Sequence, residues 1–213
     1  MLGLASLVLL LATGVAFAAT FGVSSTTLTT STGTTSVAPT TCTLSAADAD
    51  SYVDGTNLIS NFGAATNLDI GTSLFGNRRT FVQLNLGSCA IPADSLIMTA
   101  SLKLFMFAAP TASRTYEARL VSASWAETGI TWTNQPAVSG STTSSVTTGT
   151  TANVTLAWTV TADVQAFVDG TANNGWRISD QTENSVTAVT GQFRSAEFGT
   201  AAQRPILAIT YYP

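Results

Sequence analysis

The side chains in this sequence that could bind or transform a ligand are aromatic residues, arginines and carboxylates, because the chain contains no histidine. Without an imidazole, histidine-activated nucleophiles, histidine-ligated zinc and histidine acid–base catalysis are excluded. A glycoside hydrolase needs two carboxylates about 5–10 Å apart, and the 12 acidic residues are scattered, with no segment typical of such a pair. We therefore predict a binding protein rather than an enzyme.

Four residues are candidates for contact with a ligand, because exposed aromatic faces can stack on a ring and planar polar groups can bond to hydroxyls. Trp176 begins a predicted strand after a polar turn and is followed directly by Arg177. Arg78 and Arg79 are adjacent at the start of a strand, so they point to opposite faces and only one can reach a given ligand. The candidate ligand contacts are Trp176, Arg177, Tyr52 and Arg79.

Three aspartates near the start of the predicted domain are candidate ligands for a structural calcium ion, which takes roughly six to eight oxygen ligands. Asp48, Asp50 and Asp54 have part of the spacing of a calcium loop, but the later bidentate glutamate is missing. Asp69 with backbone carbonyls is an alternative. If this strand face points outward, Asp50, Tyr52 and Asp54 form an acidic–aromatic stripe; otherwise they belong to a solvated edge strand. Calcium is the one cofactor that the sequence suggests.

The composition limits the class of protein. A chain of 213 residues suits one sizeable domain, and 45% hydrophobic residues can form its core. Only 9% of the residues are charged, so solubility depends on Ser, Thr, Asn and Gly. The net charge of −4 and the single lysine, Lys103, argue against nucleic-acid binding, which needs clustered basic residues.

The N-terminal region predicts export. Residues 1–19 form an apolar leader in which Ala16, Phe17 and Ala18 have the small-x-small pattern of a signal-peptide cleavage site. An uncleaved leader would be a membrane anchor, because about 18 apolar residues are near the lower limit for spanning a bilayer. The expected location is therefore secreted or cell-surface, with membrane contact only through the leader if it is retained.

A Ser/Thr-rich arm follows over residues 20–41, where 14 of the residues are Ser or Thr. One interpretation is a flexible, O-glycosylated stalk, because such a tract has little to bury. The other is a strand that pairs with a sheet edge of its own or a neighbouring domain. Two cysteines, Cys42 and Cys89, are too few for a four-thiolate metal site. They are either a disulfide or two buried thiols, and export favours the disulfide.

The remainder, residues 42–213, reads as one domain of strands over 79–86, 96–106, 115–120, 153–160 and 205–212. Apolar and polar residues alternate in each, which predicts an all-β fold, an antiparallel β-sandwich of jelly-roll-like type. In strand 79–86 the pattern places Phe81 on the polar face. Trp158 is predicted to be in the core. In strand 96–106 the predicted inward residues are Leu96, Met98, Ala100, Leu102, Leu104 and Met106.

One short helix is predicted between strands. Thr161 can cap it, Asp163 lies in its first turn, and Gly170 is a natural end. Apolar residues at 164, 167 and 168 have helical spacing and form one stripe. A helix this short, with a single apolar stripe, should lie across an open end of the sandwich.

The segment WAETGITWTNQP (125–136) resembles the W-x-E…TW-x-NQP signature of the DNRLRE-domain family of secreted β-sandwich modules. Residues 47–71, 78–106, 158–179 and 193–211 are similar, in the same order, to other strands and loops of that family, including the FRSAEF stretch at 193–198. The resemblance covers about residues 42–211. It implies a sandwich similar to carbohydrate-binding modules, some of whose relatives bind polysaccharides. With this resemblance, the candidate contacts Trp176, Arg177, Tyr52 and Arg79 are predicted to bind carbohydrate.

We expect the motif residues to hold loops in place, because large aromatics are usually buried and charges inside motifs are usually paired or bonded to the backbone. Contact between an arginine and an acidic sugar is the alternative. Asn153 begins an N-V-T sequon, which is a glycosylation site only in a host that modifies such sites. The residues with this structural role are Trp125, Glu127, Trp132, Asn134, Pro136, Arg194 and Glu197.

Two functions remain open from the sequence. The first is a non-catalytic polysaccharide-binding or adhesive module that contacts a cell-surface glycan. The second is a subunit of an extracellular filament or pilus, in which the arm is donated to a neighbour's sheet edge and the domains self-associate into fibres.

Overall fold

The computed structural model describes residues 20–21, 24–25 and 37–213. The apolar leader (1–19) and most of the Ser/Thr-rich arm (20–41) lie outside the described residues, so the signal peptide, the anchor and strand donation stay predictions. In the first unit, β1 (Thr20–Phe21) pairs antiparallel with β2 (Ser24–Ser25). No helix in the described part is both long and apolar enough to cross a membrane.

Residues 37–213 form a second unit, an eleven-stranded antiparallel sheet that curls around its core. The strands are ordered β3-β13-β7-β12-β5-β6-β11-β8-β9, with β10 beside β7 and β4 beside β6. The predicted all-β, sandwich-like antiparallel fold is confirmed. The bounds are β3 (Thr40–Ser45), β4 (Ala49–Asp54), β5 (Asn67–Thr72), β6 (Arg78–Gln83), β7 (Leu96–Ala108), β8 (Thr115–Leu120), β9 (Ser144–Thr147), β10 (Val154–Thr159), β11 (Trp176–Asp180), β12 (Val189–Arg194) and β13 (Ile206–Tyr212).

The main core lies on the inner face of this sheet. The alternation predicted for β8 and β10 is confirmed, since Tyr116, Ala118 and Trp158 are fully buried. Trp158 also donates its indole N–H to the Tyr116 carbonyl oxygen at 3.0 Å. Strand β7 supplies the centre of the same cluster through Leu102 and Leu104.

The first residues of β7 face opposite to the prediction. Thr99 pairs with Thr210 on β13, but Ile97 pairs with Tyr211, which leaves Met98 as an extra residue on β7. One extra residue exchanges the two faces of a strand. Leu96 and Met98 are therefore 61% and 46% exposed and Ile97 is buried, so the prediction is wrong there. From Ala100 to Met106 the predicted inward face is confirmed.

Phe81 was predicted on a polar, outward face but is fully buried. It belongs to a second, smaller core cluster with Val53, Val121 and Ile130. Val121 and Ile130 belong to the loop between β8 and β9 (121–143), and this loop folds over the outer face of β4 and β6. The predicted strand also ends early, at Gln83, and is followed by a 3₁₀ turn over Leu86–Cys89.

The predicted helix is α1 (Thr161–Val168), and it packs against β7. Val160 rather than Thr161 occupies the N-cap position, and no side chain caps the helix. The Thr161 hydroxyl instead accepts a hydrogen bond from the Ala100 N–H at 2.9 Å, so its role is to join the helix to β7.

The disulfide between Cys42 and Cys89 is present. It joins β3, an edge strand, to the 3₁₀ turn after β6. The interpretation of the two cysteines as a disulfide is confirmed.

Candidate functional site

Three arginines lie side by side on the outer face of the sheet, on β6, β11 and β8. Arg177 pairs directly with Arg119 and with Phe81, and Phe81 is two residues along the strand from Arg79. Paired residues, and residues two apart, share one face of a sheet. Arg79, Arg177 and Arg119 therefore form one row, called here the arginine strip.

The two outer members of the arginine strip are each neutralised by a carboxylate. Arg79 donates from Nε and Nη2 to both oxygens of Glu183, at 2.7 and 2.6 Å. Arg119 donates from Nε and Nη2 to both oxygens of Glu117, at 2.7 and 3.1 Å. Such two-point pairs are strong and hold the guanidinium groups in fixed orientations. The arginine side chains remain 20% and 26% exposed.

The central member, Arg177, has no such partner. Its Nε is buried without a hydrogen bond, and none of the ion pairs among residues 37–213 includes it. Burial lowers the pKa of Arg177, and the positive charges of Arg79 and Arg119 lower it further, against the opposing charges of Glu183 and Glu117. A half-buried cation without an acceptor is costly. Arg177 is therefore a candidate contact for an oxygen-rich or anionic group.

The loop 121–143 borders the strip. The Gln135 side-chain oxygen accepts a hydrogen bond from Arg79 Nη1 at 3.0 Å. The Gly140 carbonyl oxygen accepts one from Arg119 Nη1 at 2.9 Å. The Thr142 hydroxyl donates to the Glu117 carboxylate at 2.7 Å. The Arg79 guanidinium also lies 4.5 Å from the centre of the Trp132 ring, a cation–π contact. The strip is thus a rigid surface framed by one loop.

The tryptophan motif within that loop makes contacts that suit a structural role. Trp125 donates its indole N–H to the Asn174 carbonyl at 3.0 Å and meets the Phe81 ring edge-on at 5.8 Å. Asn134 accepts from the Thr131 N–H and donates to a carbonyl within the same loop. Pro136 is half-buried and follows directly on Gln135. These contacts hold the loop in one shape.

The Arg194 guanidinium was expected to be paired with a charge or bonded to the backbone, but its main contacts are aromatic. It lies between the rings of Phe107 and Phe198, 3.7 and 3.8 Å from their centres. It forms none of the ion pairs found in the described part of the chain. Arg194 therefore stabilises the end of β12 by stacking, and Glu197 is free to face other groups.

Glu197 lies in a group of three carboxylates with Asp50 and Glu127, called here the acidic triad. One oxygen from each residue lies within 4.8 Å of an oxygen from the other two. Burial raises the pKa of Asp50 from its ordinary 3.8 to about 8; the charges of Glu197 and Glu127 add to the effect, and a hydrogen bond from the Ala196 N–H opposes it. Three oxygen donors this close could hold a hard metal ion.

Close packing positions Glu127 in this triad. Its Oε1 accepts from the Asp50 N–H at 2.8 Å, and the Asn61 side chain donates to its carbonyl oxygen at 2.7 Å. A Cβ on Gly63 would lie only 2.3 Å from the same carbonyl oxygen. Glycine at position 63 is thus required for the loop between β4 and β5 to approach the motif.

Residues 41–211 match the profile of carbohydrate-binding module family 96. The chain belongs to this family. The match covers all eleven strands of the curled sheet except their terminal residues Thr40 and Tyr212, and it includes the loop that frames the arginine strip. It supports the carbohydrate-binding-module resemblance found in the sequence. No curated protein matches the chain significantly.

Within this family 96 module, Trp176 is not available to a sugar. It is fully buried, donates its indole N–H to Asp163 at 2.7 Å and packs against Phe167 at 5.5 Å between ring centres. Neighbouring residues on a strand point to opposite faces. Trp176 faces the core, and Arg177 therefore faces outward. The prediction that Trp176 stacks on a sugar is wrong.

Tyr52 is also separated from the arginine strip. It pairs with Thr80, which lies on the opposite face of the sheet from Arg79. Its half-buried ring stacks on Phe62 at 4.2 Å, and burial raises the pKa of its hydroxyl to about 12. Of the four predicted carbohydrate contacts, the structure brings together Arg79 and Arg177.

The three aspartates predicted to bind calcium do not converge. Asp48 is exposed and accepts from the Asn85 N–H, while Asp54 is buried and paired with Arg78 at 3.1 Å. Asp69, the alternative, is paired with the same arginine at 3.2 Å. Asp50, Tyr52 and Asp54 do lie on one face of β4, as the stripe predicted. That face is neither outward-facing nor solvated, since Asp50 and Asp54 are 0% and 2% exposed.

Sequence reasoning did not identify Arg119, Glu117 and Glu183 as part of a site. The polar alternation of β8 was a signal for the first two, but their position beside Arg177 depends on strand pairing. Glu127 and Glu197 were expected only to hold loops. Asn153 lies exposed in the turn before β10, with a left-handed φ of 59°, and its glycosylation stays a prediction.

Proposed function

We propose that this chain is a non-catalytic, extracellular polysaccharide-binding module whose arginine strip contacts an acidic glycan. Membership of carbohydrate-binding module family 96 supports the ligand class. The Cys42–Cys89 disulfide supports an exported protein, because disulfides persist in oxidising compartments. The observation that carries the proposal is Arg177, a half-buried cation without a partner at the centre of the strip.

The charges of the strip favour an acidic rather than a neutral sugar. Three guanidinium groups share two carboxylates, and both carboxylates are already engaged with the outer arginines. One positive charge therefore remains for a ligand, and a planar guanidinium fits a carboxylate in two-point geometry. Trp132 is covered on one side by Arg79, so recognition here depends on charge and hydrogen bonds more than on stacking. Binding should therefore weaken as salt increases.

The test compares the binding of a polyuronate and a neutral β-glucan by affinity electrophoresis and calorimetry. Arg177→Gln should weaken polyuronate binding about tenfold or more, which is a loss of about 1.4 kcal/mol in binding free energy. Lys103→Gln is the matched control, because it removes one positive charge from β7, outside the strip. That control should bind as the native chain does.

Equal polyuronate binding by Arg177→Gln and the native chain would overturn the arginine strip as the site. Equal binding of the neutral glucan would overturn the choice of an acidic ligand. Turnover of either polymer, seen as new reducing ends, would overturn the non-catalytic assignment.

We also propose that the chain is a DNRLRE domain and that its glycan binding serves adhesion to a surface. The filament alternative depends on the Ser/Thr-rich arm, most of which lies outside the described residues. No observation in residues 37–213 favours it over glycan binding.

A further inference from the structure

The acidic triad joins three segments that are far apart in the sequence: β4, the loop 121–143 and the segment after β12. We propose that Asp50, Glu127 and Glu197 bind a calcium ion, which ties these segments together. This site is independent of the arginine strip and does not rest on the proposed glycan binding.

The first step in the argument is the charge of the triad. Three carboxylates with oxygens within 4.8 Å repel each other when ionised, so they need a proton or a cation. None of the ion pairs in residues 37–213 involves any of the three. A divalent cation would satisfy all three carboxylates at once.

The second step is an orphaned oxygen. Asp50 is 0% exposed, and its Oδ2 accepts from the Ala196 N–H at 2.8 Å. Its Oδ1 is buried and has no hydrogen-bond partner in the described structure. A buried acceptor is almost always satisfied by protein, water or an ion. The carboxylate that lies deepest in the triad thus keeps one oxygen free for a ligand.

The third step is the identity of the ion. All three side chains offer oxygen, the donor preferred by hard cations such as calcium and magnesium. Magnesium requires near-octahedral geometry and keeps most of its water, whereas calcium accepts irregular sets of carboxylates and carbonyls. A partly buried set from three separate segments suits calcium, with water and backbone oxygens completing its coordination.

The acidic triad is not the calcium site that the sequence predicted, since Glu127 and Glu197 take the places of Asp48 and Asp54. Asp48 and Asp54 are engaged with Asn85 and Arg78 respectively. Only Asp50 belongs to both sets.

The experiment uses the full chain, stripped with EDTA and dialysed, and titrated with calcium or magnesium chloride by calorimetry. At calcium concentrations about 100-fold above Kd, the Tm should rise by about 5–10 °C. Glu197→Gln and Glu127→Gln should each weaken calcium binding by about tenfold or more, since affinity follows the charge of the ligand set. Asp94→Asn is the matched control, an exposed carboxylate in a turn, and should bind calcium normally.

Near-UV circular dichroism in EDTA checks that each variant keeps the native fold, and Asp50→Asn serves as a second, nearly isosteric variant. Saturable calcium binding that is weakened in the triad variants and unchanged in the control would support the site. No calcium binding at about 10 mM, roughly tenfold above the Kd of the weakest extracellular sites, or equal binding by folded triad variants, would overturn it. Tighter binding of magnesium than of calcium would overturn the choice of ion.

Discussion

The two ends of β4 hold the same residue type in opposite electrostatic states. Asp50 and Asp54 share one face of the strand and are 0% and 2% exposed. Burial alone would raise the pKa of Asp54, but hydrogen bonds from Thr56 and Asn57 and the charge of Arg78 outweigh it and lower the pKa. At Asp50 burial prevails, and the pKa rises to about 8.

The difference shows that the supply of partners, more than burial, decides the state of a carboxylate here. Arg78 bridges Asp54 and Asp69, so that end of β4 has its own cation. The other end collects three carboxylates around Asp50 with no cation from residues 37–213. One end is an ion network with its own arginine, and the other is a cluster of carboxylates that has no cation from residues 37–213 and that we propose binds calcium.

Removal of the bridging cation should have the largest effect. Arg78→Met should lower the free energy of unfolding by about 3 kcal/mol, because it leaves Asp54 and Asp69 buried without a charge partner. The arginine side chain is 37% exposed, which places the loss at the lower end of the range for buried pairs. Urea unfolding at pH 7 in EDTA measures it. The double variant with Asp54→Asn should lose less than the sum of the two single changes; strict additivity would contradict the bridge.

Asp54→Asn should cause the next largest loss in the free energy of unfolding, about 2 kcal/mol. The substitution removes a carboxylate that accepts charge-assisted hydrogen bonds from Thr56, Asn57 and Arg78. Arg78 keeps Asp69 as a partner, which limits the damage. The same urea series measures it. A variant as stable as the native chain would mean that the Asp54 end is not a stabilising network.

The same substitution at the other end should have the opposite sign. Asp50→Asn in EDTA should raise the free energy of unfolding by about 1 kcal/mol, because it removes a buried carboxylate that faces Glu127 and Glu197. In saturating calcium the order should reverse, since the native chain gains the ion and the variant does not. Destabilisation by Asp50→Asn in EDTA would show that the two ends do not differ in the way proposed.

Much of the fold could be predicted because strand alternation is a local property. Tyr116, Ala118 and Trp158 are buried as their spacing indicates. Met98 could not be placed, because its bulge exists only in the pairing of β7 with β13. Phe81 was misplaced for a similar reason: its outer face is covered by a loop that begins some forty residues later.

The candidate site could be predicted only in part. Arg79 and Arg177 could be predicted because each is a charged residue near the start of a strand. Trp176 could not, because its position in β11 turns its side chain into the core. The acidic triad joins positions 50, 127 and 197, and neither motifs nor spacing show which carboxylates meet in space. Pairs at such separations are set by register and loop packing, which the local pattern does not encode.

The smallest expected effect is a change in how stability depends on pH. The pKa of Asp54 is lower in the folded chain than its ordinary 3.8, so its contribution is fully present above that value. It is lost as the pH falls through the lower, folded pKa, because the proton then binds the native state as well. The stability difference between the native chain and Asp54→Asn should therefore shrink from pH 6 to pH 3, measured as urea midpoints in EDTA. Asp50 titrates in both proteins, so its effect cancels in the difference. A difference that stays constant over this range would mean that the Asp54 end of β4 is held by shape and neutral hydrogen bonds, and the contrast with Asp50 would then not be electrostatic.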